Sequence, residues 1–534
     1  MKTSLLTLTL CLLLAGCSAV NQRYEERQVT DVLAAATVAA DTRPDALPVV
    51  TSAPDTRVDM WWARFDDPIL TRLINKAYVS NRTLTAARSN LRAARAAWEY
   101  QRGALLPMVD GGGDIMRHRT SENGISGKQK YTGYNLAGTA RWELDLFGRQ
   151  QFLIDAAEAE AEATEANLKA VWISVSSAVA NAYLELRTLQ GRLMVAEDNL
   201  KLQQANYDLQ ADRNAGGLTN ELVKNQAEYD LRSTAAAIPS LKARIVAVEN
   251  TIAILCGATP GSLPPEIVSP VLPEEPAAEA ASDVTAPATE EPAPTEQRAV
   301  GLRPTGIPQP EQIPLDVGIS VSALRRRPDV VASERLLKAA VDRVGHAKLE
   351  RYPNFYITAS LGLDSIKFSD LLDWDSHFYN FGPGFSVPIF RGGQIRANIE
   401  IKTEEQRIAA ANYEDTVLNA LGDIRTAYSA YLQEQIRLQE LRKGVQAAQA
   451  AYEIASNKYN AGLGDFFDVL DAQRKLFSLD EDRVISEGSI AMAQVALYKA
   501  LCGGWEGEES PEVSEQLFGV TEASEPLLVP LTEE

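Results

Sequence analysis

The chain has 534 residues and carries 52 Lys and Arg against 72 Asp and Glu, a formal net charge of −20 at pH 7. So acidic a chain is a poor partner for nucleic acid, because phosphates select basic surfaces. Its 4 cysteines are too few for a disulfide scaffold. Its 3 histidines lie far apart without metal-binding spacing, and no catalytic constellation or phosphate-binding loop is present. The sequence therefore predicts no enzyme, no cofactor and no metal site.

Residues 1–16 have the layout of a secretory signal peptide, with a basic start, a leucine-rich run and small residues before Cys17. Leu14-Ala15-Gly16-Cys17 resembles the bacterial lipobox, which implies cleavage before Cys17 and its fatty acylation, palmitate included. Ser18 stands where a lipoprotein kept in the inner membrane carries Asp, so the resemblance implies the outer membrane. A plain signal peptide with an incidental cysteine is the alternative. Residues 17–58 are predicted to form the lipid anchor and a polar tether.

The rest of the chain contains one unit twice. Three landmarks recur with a common offset of 246 residues: Leu255-Cys256-Gly257 and Leu501-Cys502-Gly503, Asn214-Ala215-Gly216 and Asn460-Ala461-Gly462, Pro107 and Pro353. They predict a first repeat over residues 59–259 and a second over 324–505. A duplicated half suits a ring, a barrel or a tube. If a rotation relates the repeats, Cys256 and Cys502 are too far apart to form a disulfide.

The first repeat begins with a helical pattern that runs from about residue 66 to 106, where Pro107 follows. After the proline the hydrophobic period changes from 3.6 to 2. Apolar and polar positions alternate over residues 134–146 and again over 354–389. The pattern predicts one β-hairpin per repeat, about 107–147 and 353–390, with strands long enough to span a membrane at a tilt. A hairpin on a soluble sandwich is the alternative.

A long helical stretch follows each hairpin, turns back, and returns as a second helix. The predicted helices cover about residues 149–214, 219–256, 393–460 and 466–501. The first of them is on the order of 100 Å long at the rise of an α-helix. Ile238, Leu241, Ile245, Val248 and Ile252 step by three and four residues, which is a coiled-coil seam. The wall of a tube and a solid antiparallel bundle explain this stepping equally well.

Two further segments differ in composition from the repeats. Residues 260–323, between the repeats, are rich in Pro, Glu and Ala and are predicted to be an extended or disordered linker. Residues 506–534 form an acidic tail.

Membrane passage, if it occurs, imposes a condition on the strands. No apolar run of eighteen residues follows Cys17, so only a closed β-barrel could cross a membrane. Four strands from one chain cannot close a barrel, and lipid does not tolerate open strand edges. Several copies must then share strands. Three copies give twelve strands, although two or four would also close.

Five sequence motifs together resemble those of the TolC-type outer-membrane efflux family, in its OprM-like lipoprotein branch. In chain order the motifs are Trp61-Trp62 with Phe65–Leu70, Trp142–Gly148, Arg326–Val330 with Glu334, Pro388-Ile389-Phe390 with Gly392-Gly393, and Leu470–Arg474. The match covers about residues 58–260 and 320–505. The resemblance implies a homotrimer with a twelve-stranded barrel in the outer membrane and an α-helical tunnel in the periplasm. It also implies a passive exit duct that works with a periplasmic adaptor and an inner-membrane pump of RND or ABC type.

The helix turns carry the predicted site. The family resemblance assigns docking of the adaptor to the turn residues Gly216, Gly217, Leu218, Gly462, Leu463, Gly464 and Asp465. Asp465, Asp468 and Asp471 follow at intervals of three and share roughly one helix face. Capping of the helix explains Asp465, whereas Asp468 and Asp471 match family positions whose carboxylates ring the tunnel constriction. Tyr459 matches a tyrosine of the family's closing network.

The latch of this chain departs from that of some relatives, which carry a basic residue where Gly464 stands. Leu222 and Asn225 occupy the first-repeat positions of Asp468 and Asp471. We therefore expect opening to be easier than in those relatives. The alternative function is a structural lipoprotein, a periplasmic coiled-coil spacer with a small sheet. The two-faced hairpins argue against it, because a spacer has no use for an apolar band beside a charged face.

Overall fold

The computed structural model describes residues 49–50, 60–123, 129–268, 306–309 and 319–501. The predicted signal peptide, the lipidation site Cys17 and most of the tether lie outside these residues. So do most of the linker 260–323, Cys502 and the acidic tail 506–534. The predictions made for them stay predictions.

Long helices dominate the described residues. The helices are α1 Pro68–Ser80, α2 Arg82–Gly103, α3 Arg149–Ala215, α4 Glu221–Leu255, α5 Pro265–Val268, α6 Val321–Arg326, α7 Pro328–Leu349, α8 Gln394–Asn460 and α9 Phe466–Ala500. The strands are β1 Val49–Val50, β2 Met108–Arg119, β3 Lys130–Leu144, β4 Ile319–Ser320, β5 Asn354–Ser365 and β6 His377–Ser386. Short 3₁₀ turns cover Trp61–Phe65, Phe368–Asp370 and Trp374–Ser376. Among the described residues, no helix combines the length and the apolarity needed to cross a membrane.

The two repeats fold alike. Helices α3 and α8 have 67 residues each, and helices α4 and α9 have 35 residues each. Strands β2 and β5 have 12 residues each and begin 246 residues apart, as the landmarks require. The expected fold class, a hairpin followed by long antiparallel helices in each repeat, is confirmed for the single chain.

The chain divides into two compact units, and each unit takes segments from both repeats. The described residues of the first unit fall within Ala87–Leu168 and Pro328–Asn419, and those of the second within Ala40–Ala86, Lys169–Arg327 and Ala420–Glu534. The sequence repeat is therefore not the unit of packing. Both hairpins belong to the first unit, and both helix turns belong to the second.

The first unit contains a four-stranded antiparallel sheet in the order β2-β3-β5-β6. Within each hairpin the strands pair directly, and β3 joins β5 from Tyr134 opposite Ser365 to Leu144 opposite Phe355. Each outer strand, β2 and β6, pairs on one side only within the part of the chain that is described. The sheet therefore keeps two open edges.

The two faces of this sheet differ in chemistry. Strand register places apolar side chains on one face, many of them well exposed: Val109, Ile115, Leu136, Trp142, Leu361, Tyr379, Phe381 and Phe385. The other face is polar and includes Asp110, Asp114, Asn135, Thr139, Ser360, Asp364 and Asn380. An exposed apolar area of this size indicates a contact surface. Alternation in β6 ends at Ser386, earlier than the predicted 390.

Small side chains let the helices of the first unit approach closely. Ala156 and Ala159 of α3 pack on Ala339 of α7, and a second alanine cluster lies beside the first. Gly345 leaves room for the ring of Phe152, which any Cβ at that position would overlap. The alanine excess of the sequence thus serves close helix packing.

The second unit is organised around the aromatic motif at its start. Trp61 is fully buried and stacks on Tyr498 with ring centroids 5.5 Å apart. Asp67 accepts backbone N–H bonds at the start of α1 and a hydrogen bond of 2.6 Å from the Tyr183 hydroxyl. The motif that resembles the family's opening helix is therefore a buried anchor joined to a capped helix start.

The helical pattern expected over residues 66–106 forms two helices, α1 and α2, which meet at Asn81. The backbone of Asn81 is extended (ψ 129°), and its side-chain oxygen accepts the N–H of Leu84 at 3.0 Å. Its amide donates to the Leu255 carbonyl at 2.8 Å. Asn81 therefore starts α2 and at the same time satisfies the last carbonyl of α4.

Arg327, 246 residues later, makes the equivalent contact in the second repeat, with the end of helix α9. Its buried guanidinium donates to the Ala500 carbonyl at 2.8 Å and lies 3.1 Å from an Asp423 carboxylate oxygen. In each repeat, therefore, the residue just before α2 or α7 bonds to the C-terminal end of the last long helix, which is α4 in the first repeat and α9 in the second. The chemistry has diverged, but the position has not.

Part of the inter-repeat linker is ordered, contrary to the expectation of an extended or disordered segment. Pro265–Val268 is helical, and Ile267 and Ile307 are buried. Gln190 donates to the Val268 carbonyl, and Gln309 donates to the Glu487 carbonyl. Ile319–Ser320 pairs with Val49–Val50 as a short parallel sheet. Buried isoleucines at both ends of the Pro- and Glu-rich stretch explain why these portions pack.

Cys256 is a free, fully buried thiol whose sulfur lies 3.5 Å from the Leu73 carbonyl oxygen. Burial raises its pKa to about 11. The thiolate is the reactive form, so this cysteine behaves as a small apolar core residue.

Helices α3 and α9 approach so closely at Gly488 that an added Cβ would overlap the Thr188 hydroxyl. We expect Gly488→Ala to lower the free energy of unfolding by about 1–3 kcal/mol, the usual cost of overpacking a core. Thermal unfolding followed by circular dichroism measures the effect.

Gly444→Ala in α8 is the matched control, because its Cβ would meet Leu479 at an ordinary 3.6 Å. This change should be neutral or stabilising, since alanine favours helix more than glycine does. Adding Thr188→Ala to Gly488→Ala should recover part of the loss. Equal melting curves for the two single alanine variants would contradict this account of the contact.

Candidate functional site

The two helix turns of the second unit share one geometry. Gly217 and Gly462 have positive φ of 69° and 71°, and the N–H of the following leucine bonds back to the carbonyl five residues earlier, at 2.8 Å in both turns. This is the Schellman arrangement, which requires glycine because a Cβ is strained at positive φ. Gly216 and Gly464 do not need that freedom. The turns correspond with an offset of 245, so the sequence match of Gly216 with Gly462 is wrong by one residue.

A cap follows each turn. Asn220 accepts the N–H of Val223 at 3.0 Å, and Asp465 accepts the N–H of Phe467 at 3.2 Å. Asp465 is therefore the N-cap of α9, in accord with the capping interpretation. Between turn and cap, Leu218 and Leu463 are each 81% exposed. A Schellman leucine commonly packs back on its own helix, so these two expose an unusual amount of apolar surface.

Tyr459 lies at the centre of a polar contact between α8 and α3. Its hydroxyl accepts hydrogen bonds from Arg213 Nη1 at 2.5 Å and from Gln210 Nε2 at 2.9 Å. The Arg213 guanidinium also lies over the tyrosine ring, 4.9 Å from its centroid. The charged donor and the ring contact both hold the last turn of α8 against the last turn of α3.

The two predicted gate carboxylates lie near this contact on α9, and both residues are at least partly exposed in the single chain. Asp471 pairs with Lys475 at 2.9 Å, one turn further along the same helix. Exposed pairs of this kind contribute little to stability. Asp468 and Asp471 are thus presented on the surface.

An apolar cluster beneath the turns joins all four helices. Its buried residues are Val223, Ala227, Phe466, Val469 and Leu470, with Tyr207, Tyr452, Ala455, Tyr459 and Phe467 packed against them. Phe466 and Tyr459 lie with ring centroids 5.2 Å apart. The cluster makes the turn region of one chain a single packed body.

Sequence reasoning missed a salt bridge that fastens α9 to α4. Arg474 Nε donates to both carboxylate oxygens of Asp230, at 2.9 and 3.0 Å, and Asp230 is buried. A signal was present, because Asp230 stands in the seam formed by Val223, Ala227 and Leu231. A carboxylate on an apolar helix face needs a partner. Arg213 and Gln210 gave no comparable signal, since each reads as a solvent-exposed residue near a helix end.

Asp342, on α7 of the first unit, carries a carboxyl group with a raised pKa. Burial, with the charge of Asp155 as a smaller cause, raises its pKa to about 6. No group of three or more His, Cys, Asp or Glu side chains within the described ranges is arranged to hold a metal ion.

Comparison with known proteins identifies the family. The family model for outer membrane efflux proteins matches residues 73–258 and 319–503, well over half of the chain. The chain belongs to the outer membrane efflux protein family. The two matched segments begin 246 residues apart, the offset of the landmarks. The family resemblance of the sequence motifs is thereby confirmed.

Individual family members resemble the chain over most of its length. The antibiotic efflux pump outer membrane protein ArpC of Pseudomonas putida is 29% identical over 452 residues, covering 83% of this chain and 85% of that protein. The outer-membrane channel OprN is 29% identical, with a TM-score of 0.74 over 86% of this chain and 97% of that one. The open state of the Neisseria gonorrhoeae MtrE outer membrane channel is 26% identical, with a TM-score of 0.70 over 86% and 95%.

The Asp230–Arg474 pair gives a stability prediction. Arg474→Ala leaves a buried carboxylate without its cation, and we expect a loss of about 2 kcal/mol in the free energy of unfolding. Lys475→Ala, at the adjacent residue, removes only the exposed pair with Asp471 and should cost at most about 0.5 kcal/mol. Thermal melts of the purified protein compare the two variants.

Substituting both partners tests the pairing itself. Asp230→Asn combined with Arg474→Gln removes the buried charge together with its partner and should recover part of the loss. A double variant as unstable as the sum of its single variants would show that the two side chains act independently.

Proposed function

We propose that this protein is the outer-membrane exit duct of a tripartite efflux or secretion system. It conducts substrates passively from a periplasmic adaptor and inner-membrane pump to the outside. One observation carries the proposal: a chain of this family holds a four-stranded sheet with an apolar face, a polar face and two open edges. Such a sheet fits lipid on one side and a lumen on the other, once its edges are paired.

In this proposal, three copies of the chain pair the open edges of their sheets with one another. Strand β6 of one copy pairs with β2 of the next, so that no backbone N–H or C=O faces lipid unpaired. Twelve strands leave a lumen, whereas the eight from two copies enclose only enough space for side chains. Four copies would also leave a lumen, and the family resemblance favours three. The polar residues Asp110, Asn135 and Asp364 then line the passage, and outer membrane lipid contacts the opposite face.

The helix turns dock the adaptor. Leu218 and Leu463 project from rigid Schellman turns and offer apolar surface that a partner can cover. The seven predicted docking residues, Gly216, Gly217, Leu218, Gly462, Leu463, Gly464 and Asp465, belong to these turns and their caps. Because the backbone hydrogen bonds of the Schellman turns already hold these segments, the leucines reach the adaptor with little further loss of turn entropy.

The same region forms the gate. Threefold symmetry would convert Asp468 and Asp471 into two rings of three carboxylates, which repel one another and attract cations. Arg213 and Gln210 hold Tyr459 and thereby restrain α8 at its last turn. This contact replaces, within one chain, the latch that Gly464 cannot supply. For the gate to open, the hydrogen bonds of Tyr459 with Arg213 and Gln210 must break.

Acylated Cys17 anchors each copy in the outer membrane, and the pump is of RND or ABC type. A structural spacer, the alternative function, fits less well. In a spacer, the exposed apolar residues Leu361, Tyr379, Phe381 and Phe385 would face water with no partner to cover them.

Serine at both turn leucines tests docking and function together. Leu218→Ser with Leu463→Ser should leave the outer-membrane trimer intact, since neither side chain is buried, but should abolish co-purification with the adaptor. When the double variant is expressed in a strain that lacks the wild-type gene, export of drugs or solvents should also fall. Val79→Ser, another exposed apolar residue of the second unit, is the control. Wild-type export by the double variant would refute docking at the turns.

Tyr459→Phe and Arg213→Ala test the latch. Each removes the charge-assisted hydrogen bond, a net loss of about 1.5–3 kcal/mol that should raise the open fraction on the order of tenfold or more. Single-channel conductance in planar bilayers measures that fraction. The double variant should open no more than the stronger single one, because both changes remove one interaction.

Tyr452→Phe is the matched control for this test. It deletes a hydroxyl from the same cluster on the same helix and leaves the Arg213 contact in place. Conductance that rises equally in all three single variants would argue for general loosening of the cluster instead of a latch.

A further inference from the structure

The loop between β5 and β6, residues 366–376, is apolar and exposed. Ile366, Phe368, Leu372 and Trp374 expose between 66% and 79% of their surface. The sequence between the two strands of the other hairpin, residues 120–129, is polar, with Ile125 as its one large apolar residue. The two hairpins are repeat equivalents, so the apolar character of the second loop is not a requirement of the fold. Contiguous exposed apolar surface of this kind indicates a contact.

The backbone of this loop is folded on itself. Its two 3₁₀ turns bond internally: the N–H of Asp370 bonds to the Lys367 carbonyl at 3.2 Å, and the N–H of Ser376 bonds to the Asp373 carbonyl at 3.0 Å. The Ser376 hydroxyl donates to the Asp370 carbonyl at 2.7 Å. A segment that satisfies these backbone groups internally can enter a region of low polarity at reduced cost.

The loop turns toward the apolar face of the sheet. Phe368 contacts Tyr134 edge to face, with ring centroids 5.5 Å apart, and Tyr134 shares the face of Ile115, its partner in register. Trp374 stacks on His377 at 4.9 Å, and His377 lies opposite Leu363 on that same face. Both aromatic anchors of the loop are therefore continuous with the apolar face and lie away from the polar one.

We propose that this loop lies in the outer leaflet of the outer membrane, at the boundary of acyl chains and headgroups. The inference rests on the proposed function, which puts the apolar face in lipid. The long helices leave from the strand ends at Leu144 and Ser386, so the hairpin loops lie at the opposite strand ends, on the outer side of the membrane. Trp374 and Phe368 suit the interface, where aromatic side chains concentrate.

The charged residues of the loop agree with this depth. Lys367, Asp370, Asp373 and Asp375 alternate with the apolar side chains, and the Lys367 ammonium lies 3.9 Å from the Asp370 carboxylate. Charged groups can reach the headgroup layer while their apolar neighbours point toward the chains. The loop thus anchors the hairpin laterally and leaves the lumen uncovered.

Tryptophan quenching by brominated lipid tests this position. The full chain is reconstituted into phosphatidylcholine vesicles with bromine on the upper acyl chain. The emission of Trp374 is obtained as wild type minus Trp374→Phe, and that of Trp142 as wild type minus Trp142→Phe. We expect brominated lipid to quench Trp374 about as strongly as Trp142, which belongs to the apolar strand face. Iodide in the water should quench Trp374 weakly.

A tryptophan in the polar loop is the matched control. Ser121→Trp should respond to iodide and not to brominated lipid. Iodide quenching of Trp374 with lipid quenching of Trp142 would overturn the loop inference and leave the duct intact. Trp374 shielded from both quenchers would overturn it in favour of a second copy or a closed lumen. Trp142 unquenched by lipid would overturn both the loop inference and the proposed function.

Discussion

An antiparallel sheet of four strands with two unpaired edges is the constraint on which the proposed assembly depends. In water such edges cost little, because solvent bonds to their backbone groups. In hydrocarbon each unpaired group costs several kcal/mol. The exposed apolar face of β5 and β6 makes water an unfavourable surrounding for this sheet. In the proposed assembly, lipid with pairing between copies resolves both problems together, and the polar face of twelve shared strands lines a passage.

The duplication explains why the two repeats have the same backbone elements although their side chains differ. Asn81 and Arg327 stand at equivalent positions and secure the ends of their returning helices, one with an amide and one with a guanidinium. Gly217 and Gly462 shape equivalent turns. The turn glycines are kept because the backbone requires them, whereas Asn81 and Arg327 differ because an amide and a guanidinium can both donate to the end of a helix.

The turn region shows how that divergence can produce a function. Tyr459 belongs to the second repeat and Arg213 to the first. At the offset of 245 their counterparts are Asn214 and Lys458, so the two repeats differ at both positions. The apolar cluster below and the Asp230–Arg474 pair hold the four helices of one chain together. Within the chain, the Tyr459 contact with Arg213 and Gln210 is a polar restraint on the last turn of α8.

The amino-acid sequence by itself determined the repeat, the two-faced strands, the long helices and the family, because hydrophobic periodicity and turn glycines are local properties of the chain. It did not determine the pairing of β3 with β5, the break at Asn81 or the offset of 245 at the turns, which differs by one residue from that of the landmarks. Nor did it reveal that Arg213 reaches Tyr459 or that Arg474 neutralises Asp230. Those contacts join residues more than 240 positions apart, and only the packing of the folded helices selects which side chains meet.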